Sequence, residues 1–131
     1  MANEAMRIFV YGTLLRGQRN HVRFCSDALT IELASTTGCL YDLPAGFPAM
    51  VEGEGTVYGE AMAFPDLNAT LAELDFLEGY HPKCPGQSLY LRRVQTVTLL
   101  DSGAEVLAYC YVWRGPLPPG AVFLPSGAWQ A

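Results

Sequence analysis

The sequence predicts an α+β domain, a curled and mainly mixed sheet with one main helix and one or two short ones packed outside it. Three observations predict this. Several runs rich in β-branched and aromatic residues are bounded by Gly, Pro and Asp, the pattern of strands. One segment, Asp66 to Glu78, repeats its leucines at helical spacing. Strand and helix signals do not alternate along the chain, which argues against a doubly wound parallel sheet.

Ile8, Phe9, Val10 and Tyr11 form a short apolar run that reads as a buried strand. The run breaks at Gly12, and a second glycine follows at Gly17. A strand that stops at glycine and turns through small or hydroxylated residues leaves several amide N–H groups unpaired. Such a concave set of donors can hold a carboxylate or phosphate. A tight turn with no ligand is the competing reading of the same residues. Arg19 to Phe24 opens a short helix running toward Leu29, with Asn20 as its cap.

Thr30 to Tyr41 is a β-rich run interrupted by Gly38, and Asp42 to Gly46 has the residue chemistry of a turn. Phe47 to Val51 is a brief extended piece, and Glu52-Gly53-Glu54-Gly55 reads as another turn. From Thr56 to Phe64 the chain alternates, with Tyr58, Glu60, Met62 and Phe64 on one face. Val57, Gly59, Ala61 and Ala63 form a small-residue face that accepts close packing.

Pro65 stops that strand, and Asp66 is a good N-cap for the helix that follows. Leu67, Leu71, Leu74 and Glu78 fall within an arc of about 60° at ~100° per residue. Gly79 ends the helix, and Pro82 and Pro85 keep it from resuming. Tyr90 to Leu100 reads as a strand that the turn Asp101 to Ala104 joins to Glu105–Trp113 as a hairpin. Both faces of that last strand are apolar or aromatic, which places it in the middle of the structure. The tail after Arg114 carries Pro116, Pro118, Pro119 and Pro125 and reads as irregular. The expectation is one domain over residues 1–131, with its core at about 7–113 and the tail at 114–131.

Composition narrows the function classes. Of 131 residues, 50% are hydrophobic and only 16% charged, so the net charge of −5 does not signal a disordered acidic chain. That charge, with Lys83 the sole lysine, argues against nucleic-acid binding, which needs clustered Lys and Arg. No apolar run approaches the roughly 18 residues that span a bilayer. The segment Met1 to Met6 lacks the basic and apolar regions of a signal peptide. The expectation is a cytoplasmic protein. Cys25, Cys39, Cys84 and Cys110 are widely spaced, and with His21 and His81 they form no zinc pattern, so no metal or other cofactor is expected.

Glu78 stands in the leucine stripe, whereas Glu73 lies roughly opposite it, where a solvated charge belongs. Burial disfavours a carboxylate, and so does the negative end of the helix macrodipole. Both push the group toward the range of a proton shuttle near neutral pH. The competing readings are that Glu78 reaches water from a frayed last turn, or pairs with Arg92 or Arg93.

Val10-Tyr11-Gly12-Thr13-Leu14, followed by Gly17-Gln18 and Asn20-His21, resembles the opening of the γ-glutamylcyclotransferase-like family. More narrowly, it is similar to the small bacterial and γ-glutamylamine cyclotransferase branch, related to the plant avirulence-induced proteins. The likeness continues through Gly38 to Leu43, Phe47-Pro48-Ala49 and Val57 to Glu60, then Leu74 to Tyr80 and Leu89 to Val94. The resemblance implies a small mixed β-barrel with helices packed outside. It also implies a substrate loop at Tyr11-Gly12-Thr13-Leu14 and a catalytic acid/base at Glu78. Thr13 stands where the family often has serine, and the segment from His81 to Ser88 is longer and richer in proline than usual.

The reaction implied is metal-independent cleavage of a γ-glutamyl amide by its own α-amine, releasing 5-oxoproline and a free amine. Tyr90 and Tyr111 are candidate pocket walls, with plain core packing as the alternative. The partner implied is a small γ-glutamyl substrate, whose leaving amine the residues do not specify, and the oligomeric state stays open. Two other readings compete: a non-catalytic binding module for a γ-glutamyl or other small acidic metabolite, and a thiol hydrolase using Cys84 near His81.

Overall fold

The computed structural model describes residues 6–129. The strands are β1 (Arg7–Val10), β2 (Thr30–Asp42), β3 (Pro48–Ala63), β4 (Tyr90–Leu99), β5 (Glu105–Trp113) and β6 (Val122–Phe123). The helices are α1 (His21–Cys25) and α2 (Leu67–Glu78), with a single 3₁₀ turn at Pro85–Gln87. Hydrogen bonding runs β3-β1-β5-β4-β2, and a further pairing of β2 with β3 closes five strands into a barrel. The sheet is mixed because β1 runs parallel to β5 and antiparallel to β3. β6 adds outside the ring, against Tyr41 and Asp42 of β2.

Alternation along the strands separates two apolar layers. Phe9 and Tyr11, with Ala108, Cys110 and Val112, point into the barrel and meet Leu40, Met50, Val57 and Val97. Ile8 and Val10 point the other way, with Tyr111, onto Leu71 and Leu74 of α2. β5 is apolar on both faces because it separates these layers, as its sequence predicts. Gly59 is where β3 crosses β1 most closely: a β-carbon there would collide with the Val10 carbonyl and the Phe9 ring.

The α2 boundaries follow their local chemistry. The Asp66 side chain accepts a hydrogen bond from the Ala69 amide at 3.1 Å. Gly79 adopts φ 69°, and the amides of Gly79 and Tyr80 return to the carbonyls of Phe76 and Asp75. Leu71 and Leu74 are buried, and full burial of each contributes about 1.5–3 kcal/mol. Phe76, on the other side, is exposed.

Three expectations need correction. Glu52 to Gly55 is not a chain-reversing turn: it lies within β3 as a bulge opposite Gly38, where the pairing with β2 breaks between Thr37↔Thr56 and Cys39↔Val51. A side chain at Gly53 would strike Cys39, so glycine serves close strand packing there rather than chain reversal. Asn20 stands at the N-cap position of α1, but its side chain makes no capping bond and turns back to Thr13, and the helix ends at Cys25 short of Leu29. The tail is irregular for most of its length but not peripheral. It supplies β6 and sends Trp129 into the barrel, where the indole N–H donates to Asp42 at 2.9 Å. Among the described residues no helix is long and apolar enough to cross a membrane.

Candidate active site

β1 ends at Val10, and the chain leaves the sheet through Tyr11, Gly12, Thr13 and Leu14. A cavity of about 250 Å³ lies between this loop and the C-terminal turn of α2. All seven residues singled out in the sequence line it: the four loop residues, Glu78, Tyr90 and Tyr111.

The loop is held in place by its neighbours. Asn20 donates from its amide side chain to Thr13 Oγ1 at 2.9 Å and from its backbone to the Thr13 carbonyl at 2.9 Å. His21 Nδ1 lies 2.9 Å from the Leu14 carbonyl; a carbonyl only accepts, so Nδ1 carries the proton. Arg16 binds the buried Glu60 carboxylate through both its amide and its guanidinium. Among the described residues, the amides of Gly12, Thr13 and Leu14 donate to no protein acceptor. They are free donors beside a cavity, the arrangement that suits an anion.

The reason for glycine at position 12 differs from the one the sequence suggests. Its φ is outside the left-handed region. A β-carbon would instead stand 2.6 Å from Pro48 Cγ and 2.7 Å from Cδ. Gly12 is small because the loop lies directly on the Pro48 ring, which also lines the cavity.

The tyrosines are both wall and framework. Tyr11 donates to the Tyr111 carbonyl at 2.6 Å and accepts from the Met50 amide at 3.2 Å. Tyr90 donates to the Pro48 carbonyl at 2.6 Å, and Tyr111 donates to Asp75 Oδ1 at 2.7 Å. Burial raises all three phenols well above their ordinary value, so each remains a neutral donor.

Glu78 is partly buried and faces the cavity. Arg92 does not reach it, being paired with Asp75, and Arg93 is paired with Glu52. Among the described residues Glu78 has no hydrogen-bond or ion-pair partner, and burial pushes its carboxyl from 4.5 to about 7. A carboxyl poised there exchanges protons readily in either direction near neutral pH.

Some cavity residues were not singled out in the sequence. Arg19 lines the mouth and donates to the Gly46 carbonyl at 3.0 Å. Phe47, Leu77 and Leu89 add apolar wall. Asp75 does not line the cavity but anchors Tyr111; its position four residues after Leu71 is the signal that places it on the buried face. No residue from His81 to Ser88 lines the cavity, and Cys84 is exposed away from it. Among the described residues no group of three or more His, Cys, Asp or Glu side chains is placed to hold a metal ion.

Residues 8–131 match the family described as "Gamma-glutamyl cyclotransferase, AIG2-like". The chain is 35% identical over 124 residues to the γ-glutamylcyclotransferase family protein YtfP of Escherichia coli K12, covering 95% of this chain and 96% of that one. The solution structure of E. coli YtfP superposes with a TM-score of 0.64, at 32% identity over 95% of this chain and 96% of that one. The γ-L-glutamyl-butirosin B γ-glutamyl cyclotransferase of Niallia circulans is 32% identical over 107 residues, 82% of this chain and 66% of that one. The crystal structure of an AIG2-like protein from Mus musculus gives a TM-score of 0.70 at 25% identity, covering 95% of this chain and 87% of that one.

Proposed function

The chain belongs to the γ-glutamyl cyclotransferase, AIG2-like family, and from that premise we propose that it cleaves a γ-glutamyl amide to 5-oxoproline and a free amine, with Glu78 as general acid/base. One observation carries the reading. A single cavity holds both an unpaired carboxyl pushed up to about 7 and a loop of free amides that suits a carboxylate.

The roles follow from the chemistry. The amides of Gly12, Thr13 and Leu14 bind the α-carboxylate of the substrate, which fixes the adjacent α-amine. The nucleophile is already part of the substrate, so the protein mainly has to hold it against the δ-carbonyl carbon. Well-oriented intramolecular attack can lower the barrier by roughly 7–11 kcal/mol. As the new C–N bond forms, Glu78 takes one proton from the α-nitrogen. As the tetrahedral intermediate collapses, the same proton passes to the departing nitrogen and the δ-C–N bond breaks. Glu78 returns to carboxylate, and atoms and charge balance. The phenols of Tyr11 and Tyr111 are engaged in internal hydrogen bonds, which keeps the walls fixed and leaves the proton transfer to Glu78.

The test is 5-oxoproline release from a panel of γ-glutamyl amines and γ-glutamyl amino acids. Release from at least one, lost in Glu78→Gln, is expected. Tight binding of panel members without any release would instead make this a binding protein.

A further inference from the structure

Asp75 lies on α2 three residues before Glu78 and is 8% exposed. Its Oδ1 accepts from the Tyr111 hydroxyl at 2.7 Å, and its Oδ2 accepts from the Arg92 guanidinium at 2.8 Å. Arg92 in turn lies over two rings, 5.4 Å from the centroid of Tyr80 and 5.3 Å from that of Tyr109. Such a buried pair is a weak source of stability, since desolvation offsets most of the attraction and packed apolar side chains often do as well. Its placement does something else.

The Tyr111 carbonyl accepts from the Tyr11 hydroxyl, which also accepts from the Met50 amide. Through Tyr111, Asp75 therefore joins the last turn of α2 to the end of β1. The first carries Glu78 and the second carries the loop. Among the described residues those two halves of the site share no direct hydrogen bond.

We infer that Asp75 is a positioning residue: through Tyr111 it fixes Glu78 against the Tyr11–Leu14 loop, and by pairing with Arg92 it leaves Glu78 beside a neutral pair rather than a bare charge. The link to turnover rests on the cyclotransferase reading; the electrostatic half does not. The groups around Glu78 are few. Tyr11, Tyr90 and Tyr111 face it as neutral phenols from the loop after β1, from β4 and from β5, and Arg19 shares the cavity mouth. Asp75 and Glu78 are three residues apart on α2, the spacing at which two side chains on a helix surface are neighbours, about 5–6 Å apart at Cβ.

Two variants separate charge from structure. Asp75→Asn keeps an acceptor for Tyr111 and leaves Arg92 unpaired, so Glu78 titrates at lower pH. Arg92→Gln leaves Asp75 unpaired, so Glu78 titrates at higher pH. Displacements in opposite directions, each of about half a pH unit or more, are expected in the carbon resonance of the Glu78 carboxyl. Equal or absent displacements overturn the charge coupling, and a loss of stability alone cannot produce opposite signs. Tyr111→Phe breaks the link without changing charge. It should lower kcat for 5-oxoproline release roughly ten- to hundredfold while the acid limb of the pH profile stays in place. Unchanged kcat in a Tyr111→Phe protein that melts normally overturns the positioning role. Wild-type protein that releases no 5-oxoproline refutes the cyclotransferase reading and the positioning role with it, while the resonance titration still decides the charge coupling.

Discussion

In Glu78→Gln the side chain keeps its length and hydrogen-bonding reach but loses its charge and its exchangeable proton. Turnover should fall by the roughly 10²–10⁴-fold that a positioned acid/base supplies, with substrate affinity largely retained. Stability should move the other way, and in a pH-dependent manner. The folded carboxyl titrates at about 7 against an ordinary 4.5, so the folded state holds its proton more tightly than the unfolded chain. The wild-type protein therefore loses stability as pH rises from 4.5 to 7 and carries the full penalty above that. At 1.36 kcal/mol per pH unit, this interval amounts to about 3 kcal/mol, an upper bound on what the glutamine recovers. For a domain of this size that is on the order of 10 °C in melting temperature. Wild type and variant should melt together near pH 4 and diverge by pH 8, with the variant higher. Thermal melts across that range and 5-oxoproline release on one preparation read both effects. A melting difference that does not change with pH refutes the burial argument, and near wild-type turnover in the stable variant removes Glu78 from the mechanism.

Gly12→Ala should lower the melting temperature by an amount equivalent to about 1–3 kcal/mol, because its β-carbon meets the Pro48 ring, and calorimetry should show weaker 5-oxoproline binding. Unchanged melting and affinity would contradict the packing. Asn20→Ala frees the Thr13 hydroxyl from its 2.9 Å contact and should raise KM about tenfold with a smaller effect on kcat; an effect confined to kcat would mean the loop does not bind substrate. Iodoacetamide should modify the exposed Cys84 and leave turnover intact, since burial pushes Cys25 and Cys110 up to about 12 and Cys84 lies outside the cavity. Inactivation matched to loss of the Cys84 thiol would revive a thiol mechanism. Trp129→Ala should cost about 3–5 kcal/mol by emptying part of the barrel, and a denaturant midpoint equal to wild type would show that the tail does not complete it.

What the sequence makes legible here is mostly local. The strand that stops at Gly12, the Asp66 cap, the leucine stripe and the Gly79 stop each depend on residues within a few positions of one another. Glu78 stands out for the same reason, as a charge at a position its own helix marks for burial. Asp75 is the more buried of the two, but its role does not stand out, because its partners Arg92 and Tyr111 sit on strands 17 and 36 residues away. Pairing across that distance leaves no trace in spacing. Glu52 to Gly55 misleads because glycine serves two purposes, and only the facing Cys39 reveals that close packing rather than a turn requires it. The prolines between Arg114 and Pro125 hide the last misread feature, since nothing local shows that Trp129 enters the barrel.

The parallel pairing of β1 with β5 has a consequence for how the protein is made. Ile8 sits opposite Tyr109, so β1 leaves the ribosome well before the strand it pairs with in parallel. At roughly 5–20 residues per second, that interval is on the order of 5–20 s. During it, β1 is an unpaired apolar segment on its β5 side, and the loop that follows has no Tyr111 carbonyl to anchor Tyr11. Nascent chains that stop before β5 thus carry every loop residue and Glu78 without the wall that holds them together. The cavity is complete only once β5 pairs with β1 and brings the Tyr111 wall into place.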